Sequence, residues 1–118
     1  MNSADIFTKS LVQRELGSII LLKEYIQFNF DGSIFNFYDL PKLRIDSRWL
    51  SPLEPGYFDC IKNFIGLKVT SFEETPGISL SLIFDNDYSV LLSLKAEDRS
   101  SAEVAMLQAE RGERWTVW

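Results

Sequence analysis

The chain has 118 residues, of which 46% are hydrophobic and 25% are charged, and its formal net charge is −5. This length suits one domain with a sizeable core, and the composition excludes an intrinsically disordered chain. The whole acidic excess lies in residues 69–118, which hold nine acids against four bases. Because nucleic acids bind to basic surfaces, the charge predicts no nucleic-acid partner. The acidity either serves solubility alone or favours a basic protein partner.

The sequence predicts a cytoplasmic protein without a membrane partner. Residues 1–5 are polar and do not resemble the start of a secretory signal. No apolar stretch approaches the roughly 20 residues that a membrane-spanning helix needs. The single cysteine, Cys60, excludes an internal disulfide, which is usual in a reducing compartment.

The first predicted element is a short helix. Asn2 or Ser3 can cap it, apolar residues recur at a spacing of four up to Leu16, and Gly17 follows where a C-terminal glycine is expected. A short apolar strand is then expected at residues 19–22.

Two segments alternate apolar and polar residues around a tight-turn signal. Residues 25–30 and 34–38 flank Asp31-Gly32, where glycine supplies a positive φ angle at no steric cost. Residues 78–84 and 88–94 flank Asp85-Asn86-Asp87 in the same way. Each segment predicts a β-hairpin. In the second hairpin the apolar residues are expected to share one buried face: Ile78, Leu80, Leu82, Phe84, Val90, Leu92 and Leu94.

The middle of the chain gives a mixed signal. Residues 42–56 contain two prolines and surround Trp49, which indicates an irregular excursion with one short strand at residues 43–45. Residues 57–65 have the apolar spacing of a helix, and Gly66 closes the segment.

The remaining segments complete the predicted order. A strand is expected at residues 67–72 and a Pro-Gly turn at residues 73–77. A capping-box pattern predicts a helix over residues 101–110. Residues 115–118 alternate and are expected to form a final edge strand or an apolar plug.

The chain repeats itself when Gly17 is aligned with Gly66, because each glycine follows a helical pattern and precedes strands and a hairpin. The predicted fold class is therefore α+β: two similar helix–strand–hairpin units packed as one domain, with an antiparallel sheet and two or three short helices. The single domain, residues 1–118, divides into a first unit (about 5–41), an irregular excursion (42–56), a second unit (about 57–98) and a C-terminal helix and strand (99–118).

Catalytic patterns are absent from the sequence. The chain has no histidine, which removes the commonest general base and a common metal ligand. Cys60 lies in an apolar helical pattern, which is typical of a core thiol. No glycine-rich phosphate-binding motif occurs. The sequence therefore predicts a protein that is not an enzyme and that has no cofactor and no metal.

Asp85-Asn86-Asp87 resembles the start of a calcium-binding loop, but the rest of that pattern is missing. Val90 stands where such loops need glycine, and Ala96 stands where they need glutamate, so a hairpin turn is the better interpretation. Glu73 and Glu74 fall in the other predicted turn, where acids are usually solvated. Trp49 either packs its own loop or anchors a partner, since tryptophan is favoured in protein interfaces.

The second half of the chain carries a recognisable pattern: an Ile65-Gly66 step, a Leu-Ile-Phe-Asp hairpin, a Ser-Leu pair and a terminal Val117-Trp118. These features resemble a family of small uncharacterised bacterial proteins, and residues 25–41 resemble that family's first half. Asn86 stands where the family usually has glycine, and Ser101 where it has proline. The chain is also similar in type to immunity proteins, which inhibit toxins delivered between bacteria, including those of contact-dependent growth inhibition. The resemblance implies no catalytic residues.

These observations favour a small acidic protein-binding protein, most concretely an immunity protein that neutralises a basic, nuclease-like toxin. The residues expected to bind the partner are Glu73, Glu74, Asp85, Asp87 and Trp49. The alternative is a structural or self-associating module that pairs through an exposed strand or through residues 115–118. An enzyme or small-ligand binder would instead require a deep cleft with converging carboxylates and tyrosines.

Overall fold

The computed structural model describes residues 11–109 and 114–118, and strands dominate this part of the chain. In chain order the strands are β1 (Ser18–Leu21), β2 (Ile26–Asn29), β3 (Ile34–Phe37), β4 (Lys42–Ile45), β5 (Arg48–Leu50), β6 (Val69–Thr75), β7 (Ser79–Phe84), β8 (Tyr88–Ser93), β9 (Ala105–Ala109) and β10 (Arg114–Val117). Two antiparallel five-stranded sheets result. Sheet I has the order β1-β2-β3-β9-β10, and sheet II has the order β5-β4-β8-β7-β6.

Both sheets are built from one connectivity that occurs twice. Strands β1, β2 and β3 form a meander in sheet I, after which the chain crosses to sheet II and forms the β4–β5 hairpin. Strands β6, β7 and β8 form a meander in sheet II, after which the chain crosses back and forms the β9–β10 hairpin. The repeat is one of strands, so the predicted α+β fold of two helix–strand–hairpin units is wrong.

The two hairpins expected from alternation are confirmed. Strand β2 pairs with β3 around Asp31-Gly32, and β7 pairs with β8 around Asn86-Asp87. The φ angles are 39° and 97° in the first turn and 61° and 60° in the second. Turns with positive φ angles at both central residues match the right-handed twist of the paired strands. Ile78 departs from the expected buried face and is 49% exposed, because it lies in the turn before β7.

The predicted N-terminal helix is wrong over residues 11–16. Its residues 1–10 lie outside the described residues. Residues 11–16 run beside the start of β6 instead. The Leu16 N–H donates to the Leu67 carbonyl at 2.8 Å, and the Val69 N–H donates to the Arg14 carbonyl at 3.0 Å. These tertiary hydrogen bonds use backbone groups that a helix would have paired locally.

The C-terminal helix is also wrong, and its last residue lies outside the described residues. Strand β9 occupies this stretch between β3 and β10. Its residues alternate between buried and half-buried, with Ala105, Leu107 and Ala109 on the core side. The final edge strand is confirmed as β10, and the Trp118 ring packs 5.7 Å from the Phe35 ring.

The middle of the chain is more regular than expected. Residues 42–56 contain the β4–β5 hairpin, which turns at Asp46-Ser47 with φ angles of 50° and 69°. The predicted helix that follows is confirmed as α1 (Tyr57–Ile61) and a 3-10 helix (Lys62–Phe64). A second 3-10 helix (Ala96–Asp98) lies in the crossover from β8 to β9.

The core lies between the inner faces of the two sheets. Phe28, Phe35 and Phe37 form its aromatic centre on sheet I, with ring centroids 5.0 Å apart for Phe28–Phe37 and 4.5 Å apart for Phe35–Phe37. A stacked contact of 6.5 Å between Phe30 and Phe84 joins the two sheets. Burial of these large rings is a main source of stability in the fold.

Tyr57 ties α1 to the crossover between β3 and β4. Its side chain is 1% exposed, and its hydroxyl donates a hydrogen bond of 2.6 Å to the Pro41 carbonyl. Burial raises the pKa of the Tyr57 phenol well above its ordinary value of 10.0. The unfolded chain therefore releases this proton at a lower pH than the folded chain does, and stability present below about pH 10 is lost as the pH rises further.

Replacement of Tyr57 by phenylalanine is expected to lower the free energy of unfolding by about 1–3 kcal/mol at neutral pH, because the Pro41 carbonyl loses its buried donor. The variant should also lose less stability than the wild type between about pH 7 and about pH 11. Urea unfolding at both values measures the two effects. An equal alkaline loss in both proteins would contradict the role of the phenol.

Candidate protein-binding surface

The outer face of sheet II carries small polar side chains at its centre. Alternate residues of β7 and β8 are buried in the core, so their neighbours point to the outer side of the sheet, where they are half-buried. The bulge at Thr70 restores the same alternation in the following part of β6. We call this outer surface the serine face: Ser71, Ser79, Ser81, Ile83, Ser89, Leu91 and Ser93.

The pairing register aligns the outer residues in rows across the strands. One row, from β4 to β6, consists of Arg44, Ser89, Ile83 and Ser71. The next row consists of Lys42, Leu91, Ser81 and Glu73. Each row places one large apolar side chain beside one central serine, with a base at the β4 end.

Two bases and a tryptophan form the basic edge of sheet II, which we define as Lys42 and Arg44 of β4 and Trp49 of β5. Arg44 pairs with Trp49, and its guanidinium lies 5.7 Å from the centroid of the Trp49 ring. A cation in this position is attracted by the ring face. Trp49 is 47% exposed. It therefore stands on an edge strand in a basic environment, and not in an irregular loop.

The four acids predicted to bind a partner form the acidic edge: Glu73, Glu74, Asp85 and Asp87. Glu73 and Glu74 were expected in a turn, but they lie in β6, which continues to Thr75 because β7 pairs with it that far. Glu73 pairs with Ser81 on the outer side of the sheet, and Glu74 pairs with Leu80 on the inner side.

Asp85 and Asp87 lie in the β7–β8 turn, as expected. Asp85 accepts a hydrogen bond from the Lys68 N–H at 3.3 Å, beside the start of β6. Glu73 stands four residues beyond Val69, about 13 Å farther along the strand. Among residues 11–109 and 114–118, none of the four acids forms a salt bridge with a lysine or arginine. The acidic edge thus combines two glutamates on the edge strand β6 with two aspartates at the end of sheet II where β7 turns into β8.

The structure separates Trp49 from the four acids. Trp49 belongs to β5 and Glu73 to β6, which are the opposite edges of sheet II. Four strand spacings lie between these edges, or about 19 Å. The short strand predicted at residues 43–45 is confirmed as β4, but sequence reasoning did not identify Lys42 and Arg44 as candidate binding residues on its outer side. The alternation Lys42-Leu43-Arg44-Ile45 was the available signal, and the neighbouring prolines obscured it.

A groove of about 480 Å³ lies where the serine face meets the two crossovers. Two of its lining acids are held by serine hydroxyls. The Ser93 hydroxyl donates to the Asp98 carboxylate at 2.6 Å, and the Ser100 hydroxyl donates to the Asp39 carboxylate. The groove is lined by both apolar side chains, such as Leu40 and Ile78, and charged ones, such as Lys42 and Lys95.

The part of the chain that the structure describes holds no group of three or more Asp, Glu or Cys residues that could bind a metal ion. None of the described helices is long and apolar enough to cross a membrane. Comparisons of the chain with protein-family models, with curated proteins and with solved structures give no match. The functional conclusion therefore depends on the surface itself.

Proposed function

We propose that this chain is a cytoplasmic, non-enzymatic protein that binds another protein, most concretely an immunity protein that neutralises a basic, nuclease-like bacterial toxin. The observation that supports the proposal is the acidic edge. Its four carboxylates lie on β6 and in the β7–β8 turn and have no lysine or arginine partner in residues 11–109 and 114–118. Carboxylates that form no internal ion pair are available to the bases of another protein.

Electrostatics gives the acidic edge a role in the first step of binding. A nuclease presents a positively charged surface, because its substrate is a polyanion. Negative surface charge of this kind, with Glu73 and Asp87 exposed and Glu74 and Asp85 half-buried, accelerates the approach of such a surface at low ionic strength and disfavours acidic competitors. The net charge of −5 adds to this attraction.

The position of β6 also suits protein binding. In the described residues, β6 pairs with β7 on one side, and its other side meets the N-terminal segment only near Lys68 and Val69. An edge strand offers backbone groups to a partner. Glu73 and Glu74 point to opposite sides of this strand, so bases that reach around the edge meet a carboxylate on either side.

Trp49 contributes only if the partner covers both edges of sheet II. The two edges are about 19 Å apart, a distance that an interface of about 800 Å² per partner spans. In such a complex Trp49 would serve as an apolar anchor, while its stacked Arg44 would require an acidic or polar group on the partner.

Reversal of the four acids tests the proposal. The variant combines Glu73→Lys, Glu74→Lys, Asp85→Lys and Asp87→Lys, and each protein is used in a pull-down from the native host at about 50 mM and about 500 mM salt. The wild type is expected to retain one stoichiometric basic protein, and to retain less of it at high salt. The variant is expected to lose at least about tenfold in affinity, which corresponds to 1.4 kcal/mol.

A second variant controls for net charge. It combines Glu24→Lys, Asp59→Lys, Glu97→Lys and Glu103→Lys, which are exposed acids outside the acidic edge. The control should keep the partner, since it changes the total charge equally without altering the acidic edge. If the first variant keeps the partner as well as the control does, the acidic edge does not bind it.

A further inference from the structure

We propose that a second copy of this chain binds to the serine face, so that the protein forms a twofold-symmetric dimer through the outer side of sheet II. This surface differs from the exposed strand and the terminal segment that the sequence suggested for self-association. The inference does not depend on the proposed inhibitor function, because it concerns the purified chain alone.

The strand order defines how two such faces can meet. A twofold axis that lies parallel to the strands, between β7 and β8, exchanges β8 with β7 and β4 with β6 of the second copy. Aligned packing of two sheets at about 10 Å is the usual arrangement in β-sandwiches. Small serine side chains at the centre of the face permit this approach.

Charge complementarity supports this orientation. In the row that contains Lys42, Leu91, Ser81 and Glu73, the axis places Lys42 of each copy opposite Glu73 of the other. Two pairs of opposite charge result from a single row. If the twofold axis instead lay across the strands, Lys42 would face Lys42 and Glu73 would face Glu73, and like charges would oppose the association.

The sizes of the central side chains are complementary under the same rotation. Leu91 of each copy lies opposite Ser81 of the other, and Ile83 lies opposite Ser89. A large apolar side chain therefore meets a small serine at all four central positions, which is how packed layers interdigitate. The single chain needs neither the charge complementarity nor the size complementarity in order to fold.

The contact is small, so the dimer is expected to be weak. The five strands of sheet II span about 19 Å, and the six residues of β7 are about 20 Å long. A face of this size is smaller than the roughly 800 Å² per partner of a stable interface and falls in the range of weak, transient ones. We therefore expect reversible association at micromolar to millimolar concentrations of the chain.

Charge reversal at Lys42 and Glu73 tests the dimer. Sedimentation velocity of the wild type from about 1 μM to about 1 mM should show a change from monomer to dimer. Lys42→Glu and Glu73→Lys should each remain monomeric, because both pairs then have like charges. An equimolar mixture of the two variants should dimerise, since in the mixed dimer both pairs again have opposite charges. Both variants remain net negative, so general attraction does not explain recovery.

Two matched variants control for the change of charge. Glu24→Lys alters an exposed acid and Lys23→Glu alters an exposed base, both in the turn between β1 and β2 and outside the serine face. Both should dimerise like the wild type. A wild type that stays monomeric throughout the range would overturn the proposal, as would a mixture of the two reversal variants that stays monomeric.

Discussion

Replacement of Phe64 by alanine is expected to lower the free energy of unfolding by about 3–5 kcal/mol, because a large buried ring is removed from a rigid site. Phe64 is fully buried at the end of the 3-10 helix that follows α1. Its ring centroid lies 5.3 Å from that of Phe84 and 5.1 Å from that of Tyr88. These two residues flank the β7–β8 turn, so paired strands hold the cavity open. Urea unfolding followed by circular dichroism measures the loss.

Phe58→Ala provides the matched control for Phe64. Phe58 lies in the adjacent α1 and is 44% exposed, so the same change in side chain leaves little cavity. Its expected cost is below about 1 kcal/mol. Equal losses of unfolding free energy in the two variants would show that burial of the Phe64 ring does not stabilise this end of the core.

Replacement of Leu107 by alanine is expected to cost about 2–5 kcal/mol of the free energy of unfolding. Leu107 is fully buried in β9, the strand that joins the β1–β2–β3 meander to β10. It pairs with Phe35 on one side and with Thr116 on the other. The substitution therefore leaves a cavity in the middle of the sheet I core. Thermal unfolding by calorimetry measures the decrease in stability.

Met106→Ala is the control for Leu107 and also tests the register of β9. In a strand, neighbouring residues point to opposite faces, so the half-buried Met106 should lose much less stability than Leu107. A Met106→Ala cost that equals or exceeds the Leu107→Ala cost would mean that β9 has a different register.

Local pattern was sufficient to predict the hairpins with strong turn signals. The β2–β3 turn uses Asp31-Gly32, whose glycine accepts a φ angle of 97° without strain. Residues 42–56 were interpreted as an irregular excursion with one short strand at residues 43–45 because of their prolines, and the Asp46-Ser47 turn of the β4–β5 hairpin gave no signal against that interpretation. A serine at a φ angle of 69° is uncommon, and no turn rule selects it in advance.

The wrong C-terminal helix shows where local pattern fails. The spacing of Val104 and Leu107 is compatible with a helix, and Ser100 with Glu103 resembles a capping box. A period of three is nevertheless a weak signal in so short a segment. Strand β9 pairs with β3 on one side and with β10 on the other, which satisfies its backbone hydrogen-bonding groups. A local sequence pattern does not contain this stabilisation, because it depends on strands that come together only in the fold.

The candidate site was predicted only in part. The acidic residues were identifiable from composition, and Asp85 and Asp87 lie in the turn where alternation placed them. Their position relative to Glu73 depends on the register between β6 and β7. The separation of Trp49 from the acids, and its contact with Arg44, follow from the strand order of sheet II.

The sequence by itself determined most of the buried residues of the β2–β3 and β7–β8 hairpins and how much acid the second half carries. Both are local properties, since side chains alternate with a period of two along any strand and charge is a matter of composition. Only the tertiary structure decided that each three-stranded meander pairs with the hairpin that follows the other meander. It also decided that one edge of sheet II is basic and the other acidic. Strand order and register arise from contacts between residues far apart in the chain, and no local pattern encodes which strands will pair.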